Sequence, residues 1–455
     1  MRALLLGLAV LLALAGCATP PAQAAPWPER PSVDLSYDLA PDLSGATGRE
    51  SVTFTPDRRI CELVFRAWPN APSPASEGNA LSVTDAAVDG RPTAPVVRPG
   101  GGAGTLVELP LASCVEAGTP VRAELGFALR LGRDADERLG TSAGTAWFGS
   151  GFPMLAWVRG QGWVRDDAVR IPGETAVSEE FRLDALRVTA AEGAAVSGVG
   201  RAEGTAPGPR PGTTTHTFRA DGVRDVSVAV GAYEVLEREV AGGTRLHLFT
   251  PVAGTRVPPQ RWADEIDASL GRLEDLLGPM PQPDLWVAIA PSQSSGIEYP
   301  GALQFGDTAP DELRGLVAHE LAHQWFYGLV GNDQGRDPWL DEAFTTYAQA
   351  RVTGTEESYV VDEDRDDLGD PMSAWAERGF GPYNTGVYVQ GAAVLLAARE
   401  RAGADRFDDA LRAYVAANAH GVATPDDVAR AFADLPAVTD ALTRAGALPP
   451  TGGAR

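Results

Sequence analysis

The chain has no lysine: all 38 basic residues are arginine, set against 61 Asp and Glu, for a formal net charge of −23 over 455 residues. That shortage of positive charge excludes nucleic acid as a partner, because holding phosphates takes a basic surface. With many Ala and 51 Gly, the missing lysine reads as GC-rich coding rather than adaptation. Cysteine is scarce at three, and neither Cys61 nor Cys114 has the neighbouring Cys or His that a zinc module needs. Histidine is scarce too, at five. What is abundant is ordinary: 44% hydrophobic and 22% charged residues describe a globular protein, too long for a single core, so two or three domains are expected.

The chain opens with Met1-Arg2 and an apolar run over residues 3–15, too short to span a bilayer comfortably and suited to a signal h-region. It ends in Leu14-Ala15-Gly16-Cys17, which resembles the bacterial lipoprotein box. That resemblance implies a signal over 1–16, cleavage before an acylated Cys17 and a Pro/Ala-rich tether over 17–31. The protein would then be an exported lipoprotein, held to the extracytoplasmic side of a bacterial membrane by its lipid. An ordinary secretory signal cleaved near Ala22-Gln23-Ala24 is the alternative. In an oxidising compartment the remaining Cys61 and Cys114 are expected to pair, two buried free thiols being the other possibility.

From 32 to about 240, short alternating segments such as Ser51-Val-Thr-Phe-Thr55, Leu63-Val-Phe-Arg-Ala67 and Val226-Ser-Val-Ala-Val230 are punctuated by Gly, Pro, Asn and Asp. They predict an all-β sandwich or saddle domain, with a Gly/Pro-rich turn region at 202–213. The period then changes. Residues 259–277 carry Trp262, Ile266, Leu270, Leu273 and Leu277 at helical steps, and 284–290 read as a strand. Helices are expected beyond 310, at 387–401, 407–417 and 425–433. The fold class is therefore multidomain α+β: an all-β domain at 32–240, a mainly helical domain at 241–447 and a disordered tail at 448–455.

His319-Glu-Leu-Ala-His323 is the segment richest in chemistry. Four residues turn a helix through about 400°, which leaves both imidazoles on one face and able to share a metal ion. Glu320 lies beside them, placed to take a proton from a water. A third candidate ligand, Glu342, stands near the start of another amphipathic helix in Pro338-Trp-Leu-Asp-Glu-Ala-Phe344. Three protein ligands leave a fourth position open, the pattern of a catalytic rather than a structural zinc. Asp341 could orient a ligand, but solvated charge at a helix start is the reading favoured here. His216, His247 and His420 are taken as ordinary residues.

His319, His323 and Glu342 together resemble the gluzincin zinc peptidases, and Trp339-Leu-Asp-Glu-Ala-Phe344 resembles a segment of the M1 aminopeptidase family. Gly296-Ile-Glu-Tyr-Pro300 is similar to that family's exopeptidase loop, and Gly386-Val-Tyr-Val-Gln-Gly-Ala392 to its tyrosine segment. The likeness extends to Phe65-Arg66-Ala-Trp68-Pro-Asn70 in the β domain. It implies a thermolysin-like catalytic domain holding one zinc ion through His319, His323 and Glu342, with Glu320 as general base. It further implies that Tyr388 donates to the oxyanion, Tyr383 being its rival, and that Gly296, Ile297 and Glu298 bind substrate, Glu298 through the free α-ammonium. Ile297 and Tyr299-Pro300 depart from the family pattern and put the specificity pocket in doubt. The chain also stops where many members continue into a large helical domain, which implies a more open site. The implied activity is removal of the N-terminal residue from peptides with a free N-terminus. An endopeptidase or dipeptide-releasing enzyme, or a non-catalytic peptide-binding lipoprotein, are the alternatives.

Overall fold

The computed structural model describes residues 23–171 and 179–450; the signal segment and Cys17 lie outside them. In the first part of the chain an eight-stranded sheet runs in the order Arg201–Pro207, Thr213–Val223, Phe181–Ala191, Ser32–Leu39, Gly45–Phe54, Val121–Arg130, Ala80–Val88 and Arg91–Pro92. Neighbours are antiparallel except Ser32–Leu39 beside Phe181–Ala191, which run parallel. Along Ser32–Leu39 every second residue is buried, so Val33, Leu35, Tyr37 and Leu39 face the core, as a period of two dictates. Two four-stranded sheets and a short two-stranded pairing of Trp157–Val158 with Gly162–Trp163 complete the domain. In one of them strands Ile60–Arg66 and Leu106–Val115 pair across a bulge and are stapled by a Cys61–Cys114 disulfide, which realises the expected pairing. Closing a loop of 53 residues in this way stabilises the fold by about 4 kcal/mol.

The second sheet system begins earlier than the boundary expected at 241. Tyr233–Glu239 forms a hairpin with Arg245–Pro251, and a five-stranded sheet continues through Asp284–Ala290, Ala302–Gly306 and Gly296–Tyr299. Strand 233–239 therefore belongs with the second domain, because its backbone groups find their partners there. Asp284–Ala290 is buried at every position, because the sheet is covered on both faces. Leu285, Val287 and Ile289 pack with helix Pro259–Leu277 and the helices beyond, while Trp286, Ala288 and Ala290 join the core of the β domain. This strand welds the two halves of the molecule.

Three further expectations are corrected. Within the segment read as a turn region, Arg201–Pro207 is a strand, exposed throughout but paired to Thr213–Val223 across a bulge between Ala202 and Gly204. The stretch read as a tether docks from Ala24 on: Ala24 donates its amide to Ala416 O, and Trp27 lies under the Arg159 guanidinium at 4.0 Å. Leu448, assigned to a disordered tail, is buried in the helical core. Among the described residues no helix is long and apolar enough to cross a membrane.

Candidate metal centre

Helix Leu313–Ala322 forms because Leu313, Val317, Ala318, Leu321 and Ala322 all bury against the core. It carries His319, and His323 is the first residue past its end, still with helical backbone (φ −61°, ψ −13°). The second helix, Trp339–Thr353, buries Trp339, Leu340, Ala343, Phe344 and Tyr347 and ends at Gly354, whose φ of +74° is the left-handed conformation that stops a helix. Asp341 and Glu342 sit in its first turn, where the positive helix end favours carboxylates.

These helices bring three ligand atoms together. His319 Nε2 and His323 Nε2 are 3.3 Å apart, and Glu342 Oε2 lies 3.3 and 3.6 Å from them. A point equidistant from three atoms so spaced lies about 2.0 Å from each, the bond length zinc makes with imidazole nitrogen and carboxylate oxygen. The outer ring nitrogens are already engaged: His319 Nδ1 is 3.0 Å from Gln349 Oε1, and His323 Nδ1 is 2.7 Å from Asp341 Oδ1. Both rings are thus turned so that Nε2 faces the shared point. Glu342 Oε2 is buried without a hydrogen-bond partner, as a ligand atom awaiting a cation would be. A second triple, Glu298, Glu320 and His323, shares His323 with the first, so both describe one cavity.

Protonation follows from this packing. Burial opposes charge on Glu342, yet the two imidazoles hold its carboxyl below the usual range. For His323 burial works downward, but Glu298, Asp341 and Glu342 together hold its pKa well above the usual value. Burial raises Asp341, opposed by His323.

The reading of Asp341 as solvated charge is therefore corrected: it is buried, grips His323 and accepts a hydrogen bond from Gln334 Nε2 at 2.7 Å. Gln349 and Thr345, the latter with Oγ1 3.2 Å from His323 Nδ1, were not singled out from the sequence. The signal was there, since residues 341, 345 and 349 are spaced by four and form one stripe of the helix.

The whole cavity measures about 420 Å³ and is lined, besides the triad, by Glu298, Glu320, Phe380, Asn384, Tyr388 and residues 136–138 and 293–297. Gly296, Ile297 and Glu298 form an edge strand, Gly296–Tyr299, rather than the expected loop; it is paired to Ala302–Gly306 on one side only. Gly296 must be glycine because a Cβ there would lie 2.4 Å from Glu320 Cγ. Tyr388 stands on a π-helical turn, Asn384–Val389, that leads into helix Gln390–Ala402. Its ring is parallel to that of His319 at 5.7 Å, and burial followed by the nearby Glu342 carboxylate raises its pKa well above the usual phenol value. Tyr383 packs edge-on against it, 5.5 Å away. Gly391 lets this helix approach the second metal helix, since a Cβ would meet that of Ala343 at 2.3 Å.

Comparison with known proteins agrees with this geometry. Residues 306–375, which contain His319, His323 and Glu342, match the peptidase family M1 domain. Aminopeptidase M1-B of Oryza sativa subsp. japonica is 25% identical over 241 residues, 45% of this chain and 26% of the relative; aminopeptidase N of Streptomyces lividans is 33% identical over 72 residues, 16% of this chain and 8% of the relative. The chain thus spans about a quarter of the rice protein's length. Among solved structures, the M1 zinc metallopeptidase from Deinococcus radiodurans superimposes with a TM-score of 0.66 at 20% identity, covering 94% of this chain and 96% of that one. That likeness establishes the fold, a β-rich first domain followed by a domain of helices around a sheet. Residues 306–375, which span the histidine and glutamate triad, thus match the peptidase family M1 domain, and the chain shares the two-domain fold of the Deinococcus radiodurans M1 zinc metallopeptidase.

Proposed function

We propose that this chain is a zinc-dependent aminopeptidase, with one zinc ion held by His319, His323 and Glu342. The observation that carries the exopeptidase reading is the position of Glu298. Its carboxylate is buried, and one of its oxygens lies within 4.8 Å of ligand-capable atoms of both Glu320 and His323. A substrate ammonium bound there leaves room for one residue before the carbonyl reaches the metal triad. Burial makes the pairing strong, because a carboxylate removed from water gains most from a cation.

Zinc bound at the triad supplies Lewis acidity, polarising the scissile carbonyl and making a water easier to deprotonate. The chain's own groups do the remainder. Glu320 takes the proton of the attacking water and delivers it to the leaving amine. Tyr388, kept a neutral phenol by its raised pKa, donates a hydrogen bond to the oxyanion of the tetrahedral intermediate. The free edge of Gly296–Tyr299 offers backbone groups along which an extended peptide lies. Asp341 and Gln349 hold the imidazoles in place.

The Deinococcus radiodurans M1 zinc metallopeptidase has been crystallised as a mutant with a Tyr-Ser-Ala substrate, and a two-domain M1 metallopeptidase mutant with L-arginine. A peptide with a free N-terminus and a single amino acid are what an aminopeptidase receives and releases. The test is hydrolysis of aminoacyl-p-nitroanilides against their N-acetylated counterparts. Strong preference for the free amines supports the reading, and preference for blocked substrates removes it.

The sequence further supports export with lipid attachment at Cys17, which would place the site outside the cytoplasm. Metabolic labelling with a fatty acid tests this: label lost in Cys17→Ser supports it, and label unchanged contradicts it.

A further inference from the structure

The strand that carries Glu298 is held from the other domain. Just before it, residues 292–295 make four hydrogen bonds to the β-domain loop 135–137. Ser292 Oγ donates to Ala135 O at 2.8 Å, and Gln293 Nε2 to Glu137 O at 3.2 Å. Ser294 donates twice to the Asp136 carboxylate, through its amide (2.8 Å) and its hydroxyl (2.7 Å). The β-domain loop is itself fixed. Trp147 Nε1 donates to Glu137 O, Ser73 Oγ to the Glu137 carboxylate and Ser142 Oγ to the carboxylate of Asp134, the residue just before the loop. On the far side Ser295 O accepts from the amide of Gly306, which joins the loop to the next strand of the sheet.

Two residues after Ser294 comes Gly296, packed against Glu320, and two further on Glu298. A shift of the loop would reach both, because each lies only two residues further along one strand and that strand has a neighbour on one edge only. Asp136 is the one side chain of the β-domain loop in this set of four; the other acceptors are backbone carbonyls.

We propose that Asp136 is a positioning residue: through Ser294 it fixes the strand that presents Glu298 to the substrate ammonium. The β domain is then part of the exopeptidase site. This rests on the aminopeptidase reading above, and the two fail separately. The wild-type preference for free over blocked substrates tests the reading, whereas the change in that preference on substitution tests the positioning role.

The experiment compares Asp136→Ala and Asp136→Asn with the full chain, zinc-loaded, on free and N-acetylated aminoacyl-p-nitroanilides. Losing a carboxylate that accepts two hydrogen bonds should raise KM for free-amine substrates about tenfold, leave kcat within about threefold, and lower the free-to-blocked ratio accordingly. Asp136→Asn keeps an acceptor for the Ser294 amide and a partner for its hydroxyl, so it should restore most of the wild-type KM. An unchanged KM in Asp136→Ala overturns the proposal. So does equal damage from Asp136→Asn, which would mean that the charge acts directly on the substrate. Should Asp136→Ala fail to fold, Ser294→Ala removes the hydroxyl half of the clamp. A smaller rise in KM in the same direction then supports the role, and no rise overturns it.

Discussion

In the β domain, Glu50 lies across from Leu35 and diagonal to Tyr37 on the buried face of the eight-stranded sheet. In the metal centre, Glu342 lies beside Tyr388. Both carboxylates are almost fully withdrawn from water, Glu50 at 3% exposure and Glu342 at 5%. Yet burial drives the Glu50 carboxyl well above its ordinary range, while Glu342 is held below it. The difference is two imidazoles. Glu342 faces His319 and His323, whereas no cationic group offsets the burial of Glu50. The tyrosines differ in setting rather than in titration, since burial raises both. Tyr37 is enclosed in the core, its hydroxyl without a partner, while Tyr388 opens onto the cavity. Burial alone therefore does not mark a functional site; burial with compensating charge around a shared point does.

The comparison can be broken at each pair. The largest effect is expected from the tyrosines. Tyr388→Phe removes the proposed oxyanion donor and should lower kcat by about 10²–10³ with KM little changed. Tyr37→Phe should leave turnover untouched. Steady-state kinetics on both variants decides it, and a Tyr388→Phe enzyme as fast as wild type would remove Tyr388 from the mechanism.

A smaller effect concerns the group behind the ligand. Asp341→Asn leaves a hydrogen-bond acceptor but takes away the charge that orients His323, and zinc affinity should fall by about 10–100-fold. Competition with a chromophoric chelator measures this. Unaltered affinity would show that the close His323–Asp341 contact is only packing.

The smallest effect belongs to Glu50. Its pKa in the folded state lies above the unfolded value. Stability is complete at low pH, where both states are protonated, and falls as pH rises past the unfolded pKa, because only the unfolded chain then releases its proton. Glu50→Gln should flatten that slope and gain on the order of 1 kcal/mol at neutral pH, with activity unchanged. Urea midpoints at pH 4 and pH 7 provide the check, and an identical pH slope in both proteins would mean that Glu50 is charged and compensated.

The centre of the site was legible in the sequence because its parts are local. His319 and His323 are set by one helical turn, and Glu342 by a second amphipathic helix whose apolar residues announce it. Helix 259–277 and strand 284–290 were legible in their full extent, since periodicity and bounding Pro and Gly define both. What the sequence hid was set by tertiary contact. Asp341 looks like any carboxylate at a helix start until His323 packs on it. Segment 296–299 reads as a loop until strand 302–306 arrives to pair with it. The π-helical turn under Tyr388 has no propensity signature, and the Asp136–Ser294 clamp joins residues 158 apart. The same holds for strand 201–207, whose exposed polar sequence gives no hint of its partner.

The central claim is that the buried triad holds a catalytic zinc served by Glu320. Metal content and turnover of Glu320→Gln, measured on one preparation, test it most directly. The account predicts one zinc per chain, as in wild type, with kcat reduced by about 10²–10⁴. Wild-type turnover with zinc retained would contradict it.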